Sequence, residues 1–243
     1  MSSNKSNTVL ITGCSRGIGL GLVKEYLRQG FQVLATCRTP EIAMALADVL
    51  KKHHQRPPIK LDVGSLNSIQ DCQKEIMNNH ESIDVLVNNA AISNKEHPDD
   101  PACSVDLKEF QEVMKINVTG VLALTQAFIP LLRKSSNNPR VINISSEVGS
   151  ISSSSRFSST SYQTSKAALN MLTKCFANDA KSKNIVFVSM EPGWVRTALG
   201  GSKNRNPPLS IEESATGIIK VAHTVPIEKS GCFVGLDGRE IPY

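Results

Sequence analysis

Tyr162 and Lys166 stand four residues apart in SYQTSK, at the start of the apolar-rich run AALNMLTKCFA. If that run is helical, the two side chains share one face, a turn from each other. An ammonium close to a phenol favours the phenolate and lowers the tyrosine pKa from about 10 towards the working pH. Such a pair can move a proton on or off an alcohol or carbonyl oxygen. The same spacing arises by chance on many surface helices, so the pair needs partners before it means anything.

A second signal lies near the N-terminus, where Gly13, Gly17 and Gly19 follow the apolar stretch TVLI with the spacing G-x-x-x-G-x-G. Glycines between a strand and a helix let the backbone approach a pyrophosphate, which the helix N-terminus binds through unpaired N–H groups. The spacing is not the G-x-G-x-x-G fingerprint, and any tight turn can need a glycine. Its place after the first apolar strand favours the phosphate. NAD-type sites usually carry an acidic residue at the end of the second strand. Here Cys37-Arg38-Thr39 holds that place and Arg16 sits inside the glycine loop. Two guanidinium groups suit a 2′-phosphate, although Arg38 can also simply end a strand. The expected cofactor is NADPH rather than NADH.

The elements that must position these residues alternate along the chain. Strand-like runs fall at 8–13, 31–37, 59–63, 83–91, 140–146 and 184–190, with a seventh at CFVGLDG near the end. Helical patterns follow the glycine loop as far as Gly30, run from Pro40 through PEIAMALADVLKKHH, and recur in SLNSIQDCQKEIMNNH. A polar excursion at 93–106 leads into LKEFQEVMKINVTGVLALTQAFIPLLRKS, one long helix or two in tandem. Strands alternating with helices imply a parallel sheet. VLVNNAA and NIVFVSM are apolar throughout, as strands covered on both faces are. One doubly wound α/β domain over 1–243 is expected, binding its ligand at the carboxyl ends of the strands. The serine-rich loop at 149–161 sits between strong strand and helix signals and marks no domain boundary.

Composition narrows the partners. The 243 residues are 40% hydrophobic and 20% charged, with a net charge of +5. The basic residues are scattered apart from KKHHQR at 51–56, which is no nucleic-acid footprint, while a mild positive balance suits an anionic small ligand. No apolar run approaches the ~18 residues needed to span a bilayer, and the polar N-terminus has no signal region. Six scattered cysteines with no C-x-x-C pair read as reduced thiols, and His53-His54 has no metal-ligand partners at the right spacing. A cytoplasmic protein without a metal, membrane or nucleic-acid partner is expected. The sequons at Asn117 and Asn143 are discounted accordingly.

With TGCSRGIG at 12–19, NNA at 88–90, Asn117 in KINVT, Ser145-Ser146, YQTSK at 162–166 and PGWVRT at 192–197, the chain resembles the short-chain dehydrogenase/reductases. The likeness covers essentially the whole chain, with the motifs in family order. It is nearest to sniffer-type carbonyl reductases, through LITGCSRGIGLGLVK, PGWVRTALGG and GCFVGLDG. The resemblance implies a Rossmann fold of about seven parallel strands with helices on both faces. It also implies reduction of an aldehyde, ketone or quinone carbonyl by NADPH, with Tyr162 giving the proton. Lys166 would lower the tyrosine pKa and hold the nicotinamide ribose. Ser146, the second of its pair, would polarise the carbonyl, since alternation lets only one of the two face the site. Asn117 would hold a relay water.

Cofactor contacts implied in the same way are Gly13, Ser15, Arg16 and Ile18 in the loop, Arg38 at the 2′-phosphate, and Asp62 and Val63 beside the adenine. Asn88 and Ala90 would follow the fourth strand; Pro192, Gly193, Val195 and Thr197 would border the nicotinamide. Ala91 departs from the family's NNAG and puts a methyl group where a glycine is usual. Cys14 is a small loop residue or an oxidation point near the phosphates. The loop at 196–210 is polar and open, which disfavours a large sterol, yet steroid, retinoid and pterin oxidoreductases of the family remain alternatives. So does an NADPH-sensing protein without catalysis. The long helices at about 106–134 and 162–181 are the expected homodimer surface.

Overall fold

The computed structural model describes residues 7–93, 100–154, 159–180, 184–200 and 206–243. Parts of the excursion at 93–106, of the serine-rich loop and of the loop at 196–210 therefore lie outside the described residues. In chain order the elements are β1 (Thr8–Ile11), α1 (Gly17–Arg28), β2 (Gln32–Cys37), α2 (Met44–Lys52), β3 (Ile59–Lys60), α3 (Leu66–Asn79) and β4 (Val85–Asn88). The second half continues with α4 (Leu107–Met114), α5 (Gly120–Leu132), β5 (Arg140–Ile144), α6 (Thr160–Ala180), β6 (Val186–Met190), α7 (Ile211–Thr224) and β7 (Cys232–Val234).

The seven strands form one sheet in the order β3-β2-β1-β4-β5-β6-β7, with every pairing parallel. Order reverses between β1 and β4, and a crevice opens there at the carboxyl ends. Strand alternation sorts the core into two layers. Val9 and Ile11 pack with Leu22, Tyr26, Leu46 and Ile218 of α1, α2 and α7. Leu10 points the other way and packs with Ile69, Leu124 and Phe128 of α3 and α5. Each such fully buried side chain contributes about 1.5–3 kcal/mol of transfer free energy.

The expected strands are present but shorter, since carboxyl-end residues leave the ladder to form site loops. β3 keeps only two of the five residues read as strand. Pro40 starts a 3-10 turn, Pro40–Ile42, and α2 begins after it. α7 has no counterpart in the sequence expectations. Its start is a capping box in which Ser210 accepts from the Glu213 N–H while the Glu213 carboxylate accepts from the Ser210 N–H.

The stretch read as one helix or two is a single rod from Leu107 to Leu132 with a π-helical turn, Lys115–Thr119, between α4 and α5. Against the expectation from sequence, this rod is long and apolar enough by length and composition to cross a membrane. More than half of its most apolar window is buried inside the protein, because the apolar side of α5 covers the sheet.

Candidate active site

The glycine loop joins β1 to α1 at the crevice. Gly13 has φ +69°, and a Cβ there would lie 2.9 Å from the Ala90 Cα. At Gly19 a Cβ would lie 2.3 Å from the Gly13 carbonyl oxygen. Only glycine fits either place, so the loop stays thin and the first turn of α1 faces the crevice. Ser15 and Arg16 are exposed and Ile18 is partly buried. Cys14 points inward, its thiol donating to the Ile11 carbonyl, and burial holds it protonated, which removes the oxidation option.

Arg16 and Arg38 are both exposed, and neither makes an ion pair among the described residues. Two uncommitted guanidiniums beside a glycine cradle fit an anionic phosphate. Asp62 closes a local turn by accepting from Gly64 N–H at 2.9 Å, and Val63 is buried beside it.

Asn88, expected at the cofactor, sends its side chain elsewhere. It is 3% exposed and donates to Asn143 Oδ1 at 2.7 Å and Thr125 Oγ1 at 3.1 Å, which ties β4 to β5 and α5. Its neighbour Asn89 does the work at the crevice, donating to the main-chain oxygens of Thr12 and Gly13. The Ala90 N–H donates to Thr12 Oγ1 at 3.0 Å. Ala91 has no positive φ, so its methyl group meets no backbone strain.

The 192–197 segment reaches the glycine loop from above: a Cβ on Gly17 would lie 3.6 Å from Thr197 Cγ2. Pro192 and Val195 are buried, and Gly193 turns the chain with φ +75°. Arg196 Nη1 donates to the Pro207 and Pro208 carbonyls, which pins the two described arms of the 196–210 loop together.

On α6, Lys166 is 2% exposed and its Nζ donates to the Ile144 carbonyl at 2.7 Å, 5.3 Å from the Tyr162 ring centroid. Burial pushes this lysine down to about 8, with the Glu191 carboxylate opposing. Burial pushes the Tyr162 phenol up, and Glu191 adds to it. The expected lowering by Lys166 is therefore not found here. The ammonium lies towards the ring and Ile144, and desolvation of the phenol outweighs it.

Ser145 is 1% exposed and donates to Asn170 Oδ1 at 2.6 Å. That fixes it inward and leaves Ser146, partly buried, on the opposite side of the chain. Asn117 sits in the π-turn with its amide engaged: Nδ2 donates to the Ile92 carbonyl and Ser165 Oγ, and Oδ1 accepts from Ile92 N–H. Its Oδ1 keeps one acceptor position beyond the Ile92 N–H.

Three further residues shape the site. Asn89 locks β4 to the glycine loop. Asp100 accepts from the N–H and hydroxyl of Ser161 at the start of α6, where a carboxylate complements the helix dipole. Glu191 follows β6 and faces the Tyr162–Lys166 pair. Asn89 lies inside NNA and Glu191 beside PGWVRT, while Asp100 falls in the polar excursion.

A doubly wound sheet, a glycine cradle and a Tyr–Lys pair with its lysine buried at the carboxyl end together define a class of nucleotide-linked oxidoreductases. The sequence profile described as short chain dehydrogenase matches residues 7–208, and the chain belongs to that family. Among solved structures it is similar to an NADPH-bound carbonyl reductase from chicken fatty liver, at 32% identity, TM-score 0.90, 98% of this chain and 99% of that one. The carbonyl reductase Sniffer of D. melanogaster is similar at 32% identity and TM-score 0.90, over 98% of this chain and 100% of that one. A short chain dehydrogenase of Penicillium aethiopicum is 34% identical over 97% of this chain and 99% of its own.

Proposed function

We propose that this oxidoreductase reduces a small aldehyde, ketone or quinone with NADPH. The observation that carries the reading is the pair of buried Lys166 and partly buried Tyr162, set at the same sheet end as a glycine cradle flanked by Arg16 and Arg38, which make no ion pair among the described residues. Gly13, Ser15, Arg16 and Ile18 would hold the pyrophosphate end, with Arg38 and Arg16 at the 2′-phosphate. Asp62 and Val63 would flank the adenine, and Asn88 would contribute through its main chain, followed by Ala90. Pro192, Gly193, Val195 and Thr197 would border the nicotinamide. The bound dinucleotide supplies the hydride.

The chain's own residues supply the rest. Ser146 donates a hydrogen bond to the carbonyl oxygen and polarises it. Tyr162, kept neutral by its buried setting, is a phenol with a proton to give as negative charge builds on that oxygen. Lys166 then stabilises the phenolate left behind and contacts the ribose. Asn117 joins the segment after β4 to α6 and holds that wall in place, and its Oδ1 has a second acceptor position for a relay water. Leu107 and Met171 are exposed apolar side chains on α4 and α6, which supports a homodimer through these helices, and sedimentation would test it. A cytoplasmic location belongs to the same reading.

Purified protein with NADPH and a panel of quinones, diketones and aromatic aldehydes tests the activity. Loss of NADPH absorbance with matching alcohol formation is expected. Tight NADPH binding without turnover on any of them would leave a cofactor sensor instead.

A further inference from the structure

The β5–β6 ladder ends where Ser145 N–H donates to the Met190 carbonyl at 2.8 Å, and beyond it the two chains part to form separate turns. One turn begins with Ser146 and Glu147; the other is Pro192-Gly193. Glu191 spans them. Its Oε1 accepts from Gly193 N–H at 2.9 Å, and its Oε2 accepts from the Glu147 N–H across the gap. A carboxylate with two fixed N–H donors is held in one orientation. That carboxylate also acts electrostatically on the Tyr162–Lys166 pair on α6.

We infer that Glu191 is a positioning residue of the reduction: its carboxylate locks the Ser146 turn to the Pro192-Gly193 turn beside the Tyr162–Lys166 pair. The inference rests on the proposed carbonyl reduction. Mechanically, the hydroxyl that polarises the carbonyl and the wall that borders the nicotinamide are registered by one side chain. A shift of about 1 Å between them is enough to cost catalysis heavily. Electrostatically, the charged groups facing Glu191 are Lys166 and Tyr162 from α6 and Glu147 from the turn after β5. Burial pushes the Glu191 carboxyl up, while the Glu147 and Gly193 N–H groups and Lys166 oppose this. In its charged form it favours the Lys166 ammonium and disfavours the Tyr162 phenolate. It therefore keeps the acid protonated to higher pH.

Glu191→Gln is nearly the same size, but its amide has only one acceptor oxygen for two N–H donors, and it carries no charge. Glu191→Asp keeps the charge and loses the reach. For Glu191→Gln, kcat is expected to fall about tenfold or more, as when a hydrogen bond to a charged group is lost. NADPH affinity, read by fluorescence titration, is expected to stay within about twofold of the parent. Reduction needs the protonated acid, so the basic limb of the kcat profile should move to lower pH by about half a unit or more. The Lys166 titration, followed by NMR of carbon-13-labelled lysine in the protein alone, should also move to lower pH. Glu191→Asp should restore the lysine titration while kcat stays reduced.

Parental kcat and an unmoved basic limb in Glu191→Gln would overturn the inference. So would equal losses of kcat and NADPH affinity with the Lys166 titration unmoved. The lysine titration needs no turnover. A wild-type protein inert toward every carbonyl therefore defeats the reduction reading alone, and the titration still judges the charge coupling.

Discussion

Each end of the sheet holds a tyrosine, a nitrogen base and arginine. At the carboxyl end these are Tyr162, Lys166 and the pair Arg16 and Arg38. At the amino end, where α1 and α7 finish and β5 begins, they are Tyr26, His223 and Arg140. The Tyr26 hydroxyl and His223 Nε2 share a 3.0 Å hydrogen bond, and Phe31 packs on Tyr26 at 4.9 Å between ring centroids. Arg140 is 6% exposed and donates to the Ala222 carbonyl near the end of α7. Burial pushes both tyrosines up and drives His223 down to about 4. What separates the two ends is unused bonding capacity. At the amino end Tyr26 and Arg140 are buried and each bonds inside the protein, with His223 partly exposed. At the carboxyl end Arg16 and Arg38 are exposed without an ion pair among the described residues, and Ser146 and Tyr162 are partly covered. Residue types do not make a site; leftover valence facing a crevice does.

Substitutions can break that contrast. The largest effect is expected for Tyr162→Phe, which should lower carbonyl reduction by about 10²–10⁴-fold, the usual worth of a positioned acid. Its NADPH affinity and thermal midpoint should stay close to the parent, and a near-normal rate would show that another group gives the proton. Next, Arg38→Asp should weaken NADPH binding by about 10–100-fold, as for a lost charge-assisted bond, and NADH binding far less. Equal losses for both cofactors, by fluorescence titration, would remove the 2′-phosphate from the argument.

The amino end answers to pH instead. His223 is neutral in the fold and binds a proton only near pH 4, while an unfolded histidine does so near 6.5. The unfolded state therefore takes up protons first. Stability contributed by His223 is complete above about pH 6.5 and is lost as pH falls towards 4, at up to about 1.4 kcal/mol per pH unit. Thermal melts across that window should show a slope that His223→Gln flattens. Smallest is Tyr26→Phe, which removes one buried hydrogen bond and should cost about 1 kcal/mol by denaturant unfolding with no change in kcat. A catalytic defect in that variant would mean that the sealed end is coupled to the open one.

Local spacing carried much of this site into the sequence. The glycine loop and the Tyr162–Lys166 pair were legible because each lies within one turn of backbone, where sterics and helical period fix the outcome. Alternation narrowed Ser145 and Ser146 to one, but the Asn170 partner that turns Ser145 inward lies on another helix. Asn89 and Glu191 lie in or beside motifs, but the partners that give them and Asp100 their roles, the Thr12–Gly13 main chain, Glu147 and Ser161, lie far along the chain. The π-turn at Asn117 follows from a one-residue excess in the helical ladder, which neither propensity nor period reveals. The direction of the Tyr162 shift needed burial, which composition does not supply. The α7 capping box was readable from Ser210 and Glu213 and simply carried no weight beside the louder motifs.

The strand order has a consequence for how the protein comes into being. β1 pairs with β2 on one side and with β4 on the other, so the crevice does not exist until the chain has crossed back over its first strand. The glycine loop and the Tyr162–Lys166 pair come from opposite halves of the sequence. Parallel, non-local pairings of this kind fold slowly, because loop closure precedes its reward. During synthesis the β1–β2–β3 half emerges with one edge of β1 unpaired, a row of free N–H and C=O groups open to any other strand. The site is thus among the last parts to be assembled, and the nascent chain is most vulnerable to aggregation at the strand that later carries the cofactor loop.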